Sequence, residues 1–143
     1  MNMTDAELYE GFTQETIDRY KREAREMFDP QLVEESEKRA RKMSKEAWEV
    51  LKAEGEAVNQ ALAGMIDRGP ADSEVQALIA RHHATIESFY HATAEIYRGL
   101  GSLYAEHPEF RAYYEKYALG LPEFMQQAMT YYADHVLAPG EVV

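Results

Sequence analysis

The feature that most limits the possible fold is the spacing of the apolar residues, which recur at every third or fourth position along most of the chain. The clearest such segment follows Ser44 and is predicted to run to Met65 or Ile66, with its apolar side chains on one face of a helix. No segment alternates between apolar and polar residues as a strand does, and the sequence lacks repeats of about 20 to 50 residues. The sequence therefore predicts an all-α fold.

Capping residues, glycines and prolines mark where the predicted helices begin and end. Asp29 and Pro30 are predicted to start a highly charged helix. A long central helix is predicted from Asp72 or Ser73 through Tyr97, and two glycines are expected to weaken its end. The remaining predicted boundaries are helix starts at Thr4 and Thr13, an end at Gly69–Pro70, weakening at Gly99 and Gly101, a helix at Phe110–Tyr117, a final helix at Leu121–Leu137 and a disordered tail after Pro139.

Composition excludes several classes of protein. The chain has no cysteine, so it forms no disulfide, thiolate metal site or cysteine nucleophile. A net charge of -11 opposes the attraction to phosphates on which nucleic-acid binding depends, so we expect no DNA binding by this chain alone. We also expect no membrane partner and a cytoplasmic location, because no apolar run nears the ~20 residues that span a bilayer and no secretion signal is present. Without a hydrolase elbow, phosphate loop or activated nucleophile, we expect neither an enzyme nor a cofactor.

The aromatic residues are concentrated in the second half, where residues 70–143 hold 11 of the 16 aromatic residues and all five histidines. Four of them, His83, Tyr90, Tyr97 and Tyr104, are spaced by seven and so lie along one side of a helix. A tyrosine presents a large apolar face with one hydroxyl, which suits a ligand pocket, although such a stripe is equally compatible with ordinary core. Ten tyrosines favour a lined cavity, because buried phenols need hydrogen-bond partners. Further candidates for this cleft are Trp48, Phe110, Tyr114 and Tyr117.

A second pattern places His83, Glu87 and His91 four residues apart, on one face of a helix. These residue types can bind zinc or iron, but a closed metal site needs further ligands, and no partner motif follows. The alternatives are a solvated polar face, or donors and acceptors that bond to the amides of a ligand. A haem site has only a lone histidine in its favour.

Several short motifs, read together, resemble the TipAS antibiotic-recognition domain over nearly the whole chain. They are Pro70-Ala71-Asp72-Ser73-Glu74, Arg81-His82-His83, Gly99-Leu100-Gly101-Ser102-Leu103-Tyr104, His107-Pro108-Glu109-Phe110, Tyr113-Tyr114, Gly120-Leu121-Pro122-Glu123-Phe124, and Ala128 with Tyr131-Tyr132.

The resemblance implies a globin-like arrangement of helices without haem, with a deep cleft for thiopeptides or other bulky antibiotics. In that family the domain commonly follows a MerR-type DNA-binding domain and a dimerising coiled coil. Neither is present in this sequence, so we expect a monomer that acts as the sensor part of such a regulator or as a stand-alone drug-binding protein. Ala92 and Gly99 stand where thiopeptide-binding members have cysteines, one of which can attach to a dehydroalanine of the drug, so we expect reversible binding.

The resemblance also implies one domain over residues 1–143, with a mobile segment at 4–43 that closes over a core with a cleft at 44–138. The low apolar content of residues 4–43 independently indicates marginal packing. Two other functions remain open from the sequence alone. One is an acidic helical module that binds a protein partner, and the other is a metal-binding helical protein that uses the two histidines and the glutamate.

Overall fold

The computed structural model describes residues 29–138, and within them it contains helices and turns but no strand. The all-α prediction is confirmed there. The helices predicted after Thr4 and Thr13 and the tail predicted after Pro139 lie outside the described residues. The described helices are α1 (Pro30–Lys42), α2 (Lys45–Ala63), α3 (Ser73–Glu87), α4 (Ala94–Glu106), α5 (Pro108–Glu115) and α6 (Leu121–Tyr132), with a 3-10 turn at Ile66–Arg68 and a π-helical turn at Ala133–Leu137.

The described chain divides into two compact units. The first contains residues 29–52 and Ser88–Tyr90, and the second contains residues 53–87 and 91–138. The first unit therefore holds α1 and the first part of α2, whereas the second holds the rest of α2 and α3 to α6. No helix of the described residues is long and apolar enough to cross a membrane.

Two predicted helix starts in the first unit are confirmed by their caps. Asp29 accepts a hydrogen bond from Gln31 N–H at 2.7 Å, and Pro30 fills the first position of α1, where its missing N–H is not needed. Ser44 Oγ accepts from Ala47 N–H at 3.1 Å at the start of α2. Little apolar surface holds α1, because Ala40 is its only buried residue.

The predicted continuous central helix is wrong, because α3 ends at Glu87 and α4 begins at Ala94. Side chains cap the backbone on both sides of the break. Thr93 Oγ1 accepts from Ile96 N–H at 3.3 Å, and a carboxylate oxygen of Glu87 accepts from Ala92 N–H at 3.2 Å. In a continuous helix these two backbone N–H groups would bond to carbonyl groups of the same helix. The side-chain oxygens replace the bonds that the break removes.

The two glycines predicted to weaken the helix lie within α4, which continues past them to Glu106. Gly101 is needed for packing: a Cβ there would lie 3.3 Å from Gln126 Cα and 3.5 Å from Met129 Cβ. The missing side chain therefore allows α4 and α6 to approach closely. Gly99 lies on the open side of the helix, where a Cβ would meet nothing within 4 Å.

The other boundaries in the second unit follow the predictions more closely. Asp72 caps α3, with Oδ1 accepting from Glu74 N–H at 2.9 Å and Val75 N–H at 3.1 Å. α2 ends at Ala63, slightly earlier than predicted, and Gly69 takes a φ of 90° after the following 3-10 turn. The final helix covers the predicted range as α6 and the π-helical turn. The core of this unit consists mainly of Val58, Leu62, Val75, Ile79, Leu121, Met125 and Met129.

Candidate ligand-binding site

Three helices of the second unit bring together an aromatic–histidine cluster, which we define as His82, His83, Tyr97, Tyr104 and Tyr132. The two histidines lie on α3, Tyr97 and Tyr104 lie on α4, and Tyr132 ends α6. These helices are adjacent because α6 packs against both α3 and α4. Three of the five side chains are almost fully enclosed, with exposed fractions of 7% for His82, 0% for Tyr97 and 5% for Tyr104.

His82 is the centre of a buried chain of hydrogen bonds. A carbonyl only accepts, so Tyr97 donates its hydroxyl hydrogen to Ile79 O at 3.4 Å and accepts the hydrogen of His82 Nδ1 at 2.7 Å. His82 Nε2 then lacks a hydrogen and accepts from the Tyr104 hydroxyl at 3.4 Å. These contacts assign the Nδ1–H tautomer of a neutral imidazole.

Burial, followed by the neighbouring His83, lowers the pKa of His82 to about 4. The imidazole is therefore uncharged at neutral pH, as the hydrogen-bond chain requires. A charged ring would carry a hydrogen at Nε2, and the Tyr104 hydroxyl would have to change from donor to acceptor.

Aromatic rings of α5 extend the buried end of the cluster. The Tyr104 ring lies 4.5 Å from Tyr114 and 5.8 Å from Phe110, measured between ring centroids. Burial chiefly, with a hydrogen bond to Tyr104, raises the pKa of Tyr114, so its phenol stays protonated and lengthens the same chain. Tyr114 is 6% exposed, whereas Phe110 is half-buried.

The opposite end of the cluster is less enclosed and more polar. The His83 ring lies 5.0 Å from Tyr97 and 5.5 Å from Tyr132, and its Nε2 donates to Ala92 O at 2.9 Å. Burial raises the pKa of Tyr132, with a further contribution from the negative charge of Glu87. This end therefore combines two half-buried rings with a carboxylate.

The predicted single-face stack of His83, Glu87 and His91 is wrong, because α3 ends at Glu87. Glu87 Oε1 still lies 3.4 Å from His83 Nε2 and 3.2 Å from His91 Nδ1. The Nε2 atom of His83 must carry a hydrogen to bond to Ala92 O, so its lone pair is not available to a metal. Throughout residues 29–138, no group of three or more His, Asp or Glu side chains is arranged to hold a metal ion.

Tyr117 lies in a separate polar contact at the end of α5. Its hydroxyl donates to a carboxylate oxygen of Glu56 on α2 and lies 3.3 Å from the Tyr113 hydroxyl. Burial raises the pKa of Tyr117, and the hydrogen bond to Glu56 adds to this effect. The ring of Tyr113 is 37% exposed, so this region also presents aromatic surface.

Two of the sequence candidates belong to the first unit. Trp48 packs edge-to-face against Phe89 with their ring centroids 5.8 Å apart, and its Nε1 is buried without a hydrogen-bond partner among the described residues. Tyr90 follows Phe89 in the break after α3, so the prediction that four residues spaced by seven form a ladder along one continuous helix is wrong. Of that ladder, the structure brings together His83, Tyr97 and Tyr104 within the second unit.

Two members of the cluster were not singled out from the sequence. His82 stands at helical spacing from Val75, Leu78 and Ile79, which signals a histidine on a buried face. Tyr132 was noted only as part of a motif. Its approach to His83 depends on how α3 and α6 pack, which the sequence pattern does not reveal.

Comparisons with known proteins agree on one family. The sequence model of the TipAS antibiotic-recognition domain matches residues 13–132. The chain is 29% identical over 138 residues to the HTH-type transcriptional activator mta of Bacillus subtilis, covering 93% of this chain and 54% of that protein. It is 31% identical over 138 residues to the HTH-type transcriptional regulator SkgA of Caulobacter vibrioides, covering 92% of this chain and 54% of that protein. The chain thus spans about half the length of these relatives, and no solved structure matches it.

Proposed function

Because this chain belongs to the family of TipAS antibiotic-recognition domains, we propose that it reversibly binds a bulky, largely apolar antibiotic such as a thiopeptide. It would do so as the sensing part of a MerR-type transcriptional regulator or as a stand-alone drug-binding protein. The aromatic–histidine cluster is the observation that carries this proposal. The relatives are named as regulators of transcription, and each is nearly twice as long as this chain.

The buried tyrosines support a binding role because stability alone does not call for them. A core of leucine, isoleucine and phenylalanine avoids the cost of burying hydroxyl groups. Here all three tyrosines are buried: Tyr97 and Tyr104 both bond to His82, and Tyr114 bonds to Tyr104. Such bonds fix the orientation of the rings, and a rigid aromatic wall binds a large apolar ligand with little loss of side-chain entropy.

We propose different roles for the enclosed and the half-buried members of the site. Tyr97, Tyr104 and Tyr114 would form the floor of the site behind the ligand. The half-buried rings of the second unit would contact its apolar surface, while Glu87 and the 77% exposed His91 would bond to its amides. Trp48 and Tyr90 remain sequence-based candidates in the first unit. The proposed contacts of the second unit are His83, Glu87, His91, Phe110, Tyr117 and Tyr132.

Binding would leave no covalent adduct, because the chain has no cysteine to add to a dehydroalanine. Intact-mass spectrometry after prolonged incubation with a dehydroalanine-containing thiopeptide should give the mass of the unmodified chain once the protein is denatured. A cysteine introduced in place of the exposed Gly99 provides a positive control for the chemistry. An adduct on the natural sequence would contradict the reversible mechanism.

A thermal-shift screen tests the proposed function. The panel contains thiopeptides and other bulky apolar natural products, with aminoglycosides as hydrophilic antibiotics for comparison. A ligand present at 100 times its Kd stabilises the folded protein by about 2.7 kcal/mol, so a true ligand raises the melting temperature by several degrees. We expect such shifts from the apolar compounds alone. Equal responses to both groups, or none to any apolar compound, would contradict the proposal.

A further inference from the structure

Ala92 is a buried residue of the break between α3 and α4, with 1% of its surface exposed. Its N–H donates to Glu87 Oε1 at 3.2 Å, and its carbonyl oxygen accepts from His83 Nε2 at 2.9 Å. His83 and Glu87 are one helical turn apart at the end of α3. Two side chains of one helix therefore hold both backbone groups of the same residue. We call His83, Glu87 and Ala92 the Ala92 latch.

The latch holds a segment for which the sequence also favours another conformation. The seven-residue spacing from His83 to Tyr104 is compatible with one continuous helix, in which Ala92 N–H would bond to the carbonyl of residue 88. In the broken form the latch replaces that internal bond, and the Thr93 cap replaces another. Each replacement is a single hydrogen bond with a modest net contribution to stability, so losing the bond from His83 or Glu87 would leave the segment weakly held.

The His83 ring connects the latch to the aromatic–histidine cluster. The imidazole bonds to Ala92 O through Nε2, and its ring centroid lies 5.0 Å from that of Tyr97 and 5.5 Å from that of Tyr132. A ligand that accepts the hydrogen of His83 Nε2 must therefore compete with Ala92 O for it.

We propose that His83 and Glu87 are positioning residues that hold the α3–α4 break through Ala92, and that a bound ligand is sensed by opening this latch. The second half of this inference rests on the proposed function. Opening would break both bonds to the peptide of Ala92, so that residues 88–93 would lose the contacts with His83 and Glu87 that hold them. A ligand can shift this equilibrium only by binding the open form more tightly than the closed form.

Hydrogen exchange of the Ala92 amide, followed by NMR without ligand, tests the holding role. Glu87→Ala removes the acceptor, and His83→Phe keeps a ring against Tyr97 and Tyr132 but removes the N–H donor. We expect each to accelerate exchange of the Ala92 amide by roughly 3- to 10-fold relative to wild type. The backbone chemical shifts of residues 88–93 should move toward random-coil values in both variants.

Two matched variants separate this role from general destabilisation. Glu87→Gln keeps an oxygen acceptor and should retain most of the protection at Ala92. His91→Ala removes a 77% exposed partner of Glu87 and should leave Ala92 exchange unchanged. Wild-type exchange in Glu87→Ala would overturn the proposal, as would equal acceleration in Glu87→Gln and Glu87→Ala. The glutamate pair is decisive by itself if His83→Phe does not fold.

Hydrogen exchange of the Ala92 amide also tests whether a bound ligand opens the latch. With a saturating thiopeptide, we expect Ala92 exchange to become faster while the melting temperature rises. Unchanged or slower exchange in the complex would overturn the sensing role. If no compound of the panel binds, the proposed function fails, and the ligand-free variants still decide whether His83 and Glu87 hold the break.

Discussion

Replacing Tyr97 by phenylalanine removes one oxygen from the middle of the buried hydrogen-bond chain and leaves the ring in place. Tyr97 is fully buried, and its hydroxyl accepts from His82 Nδ1 at 2.7 Å. The variant leaves one polar nitrogen of the His82 ring without a partner, whichever tautomer it takes. A buried group that loses its partner costs about 1–3 kcal/mol, which corresponds to a fall in melting temperature of roughly 4–12 °C for a chain of this size.

Urea unfolding, followed by circular dichroism, measures this loss as a lower midpoint with an unchanged slope. Tyr131→Phe is the matched control, because it removes the same oxygen from a half-buried tyrosine of α6. The Tyr131 ring stacks on the exposed His135 with the ring centroids 4.0 Å apart. We expect this control to change the free energy of unfolding by less than about 0.5 kcal/mol. Equal effects of the two substitutions would refute the hydrogen-bond chain as a source of stability.

Two further predictions concern helix packing and pH. Gly99→Ala should stabilise the protein by about 0.5–1 kcal/mol, because alanine favours a helix more than glycine does. Gly101→Ala should be about 1–3 kcal/mol less stable than Gly99→Ala, because the new Cβ would lie 3.3 Å from Gln126 Cα. Urea midpoints of the two variants in the opposite order would contradict the close approach of α4 and α6. Burial lowers the pKa of His82 from 6.5 to about 4, so between these two pH values the unfolded chain binds more protons than the folded one. The free energy of unfolding therefore falls as the pH is lowered from 6.5 to 4, by up to roughly 3 kcal/mol. Urea midpoints from pH 7 to pH 4.5 should show a flatter dependence in His82→Gln, and equal slopes would contradict the assignment.

The sequence predicts the helices well where the deciding interactions are local. Asp29, Ser44 and Asp72 cap the helices that follow them, and the cap bonds join residues two or three positions apart. The break after Glu87 could not be predicted in this way, because apolar spacing continues through it. A pair of side-chain bonds from α3 to Ala92 lies at the break, and helical periodicity does not register such bonds.

The site is predictable in part for a related reason. Seven-residue spacing pointed to Tyr97 and Tyr104, which both lie on α4 and both bond to His82. Their contacts with His82 and Tyr132 depend on the packing of α3 and α6 against α4, and Gly101 sets how close α6 comes. In the sequence, a glycine that permits close helix contact looks the same as one that only weakens a helix, so the pattern alone does not reveal the packing role of Gly101.

Calorimetric titration of a thiopeptide into wild type, Tyr132→Ala and Tyr131→Ala tests the central claim most directly, since the two substitutions remove neighbouring rings of equal size. Tyr132 packs against His83 and Tyr97 in the cluster, whereas Tyr131 stacks on His135. We predict that Tyr132→Ala weakens binding by about tenfold or more and that Tyr131→Ala leaves the Kd within a factor of about two. Equal affinity of all three proteins, or no binding by wild type, would contradict the account.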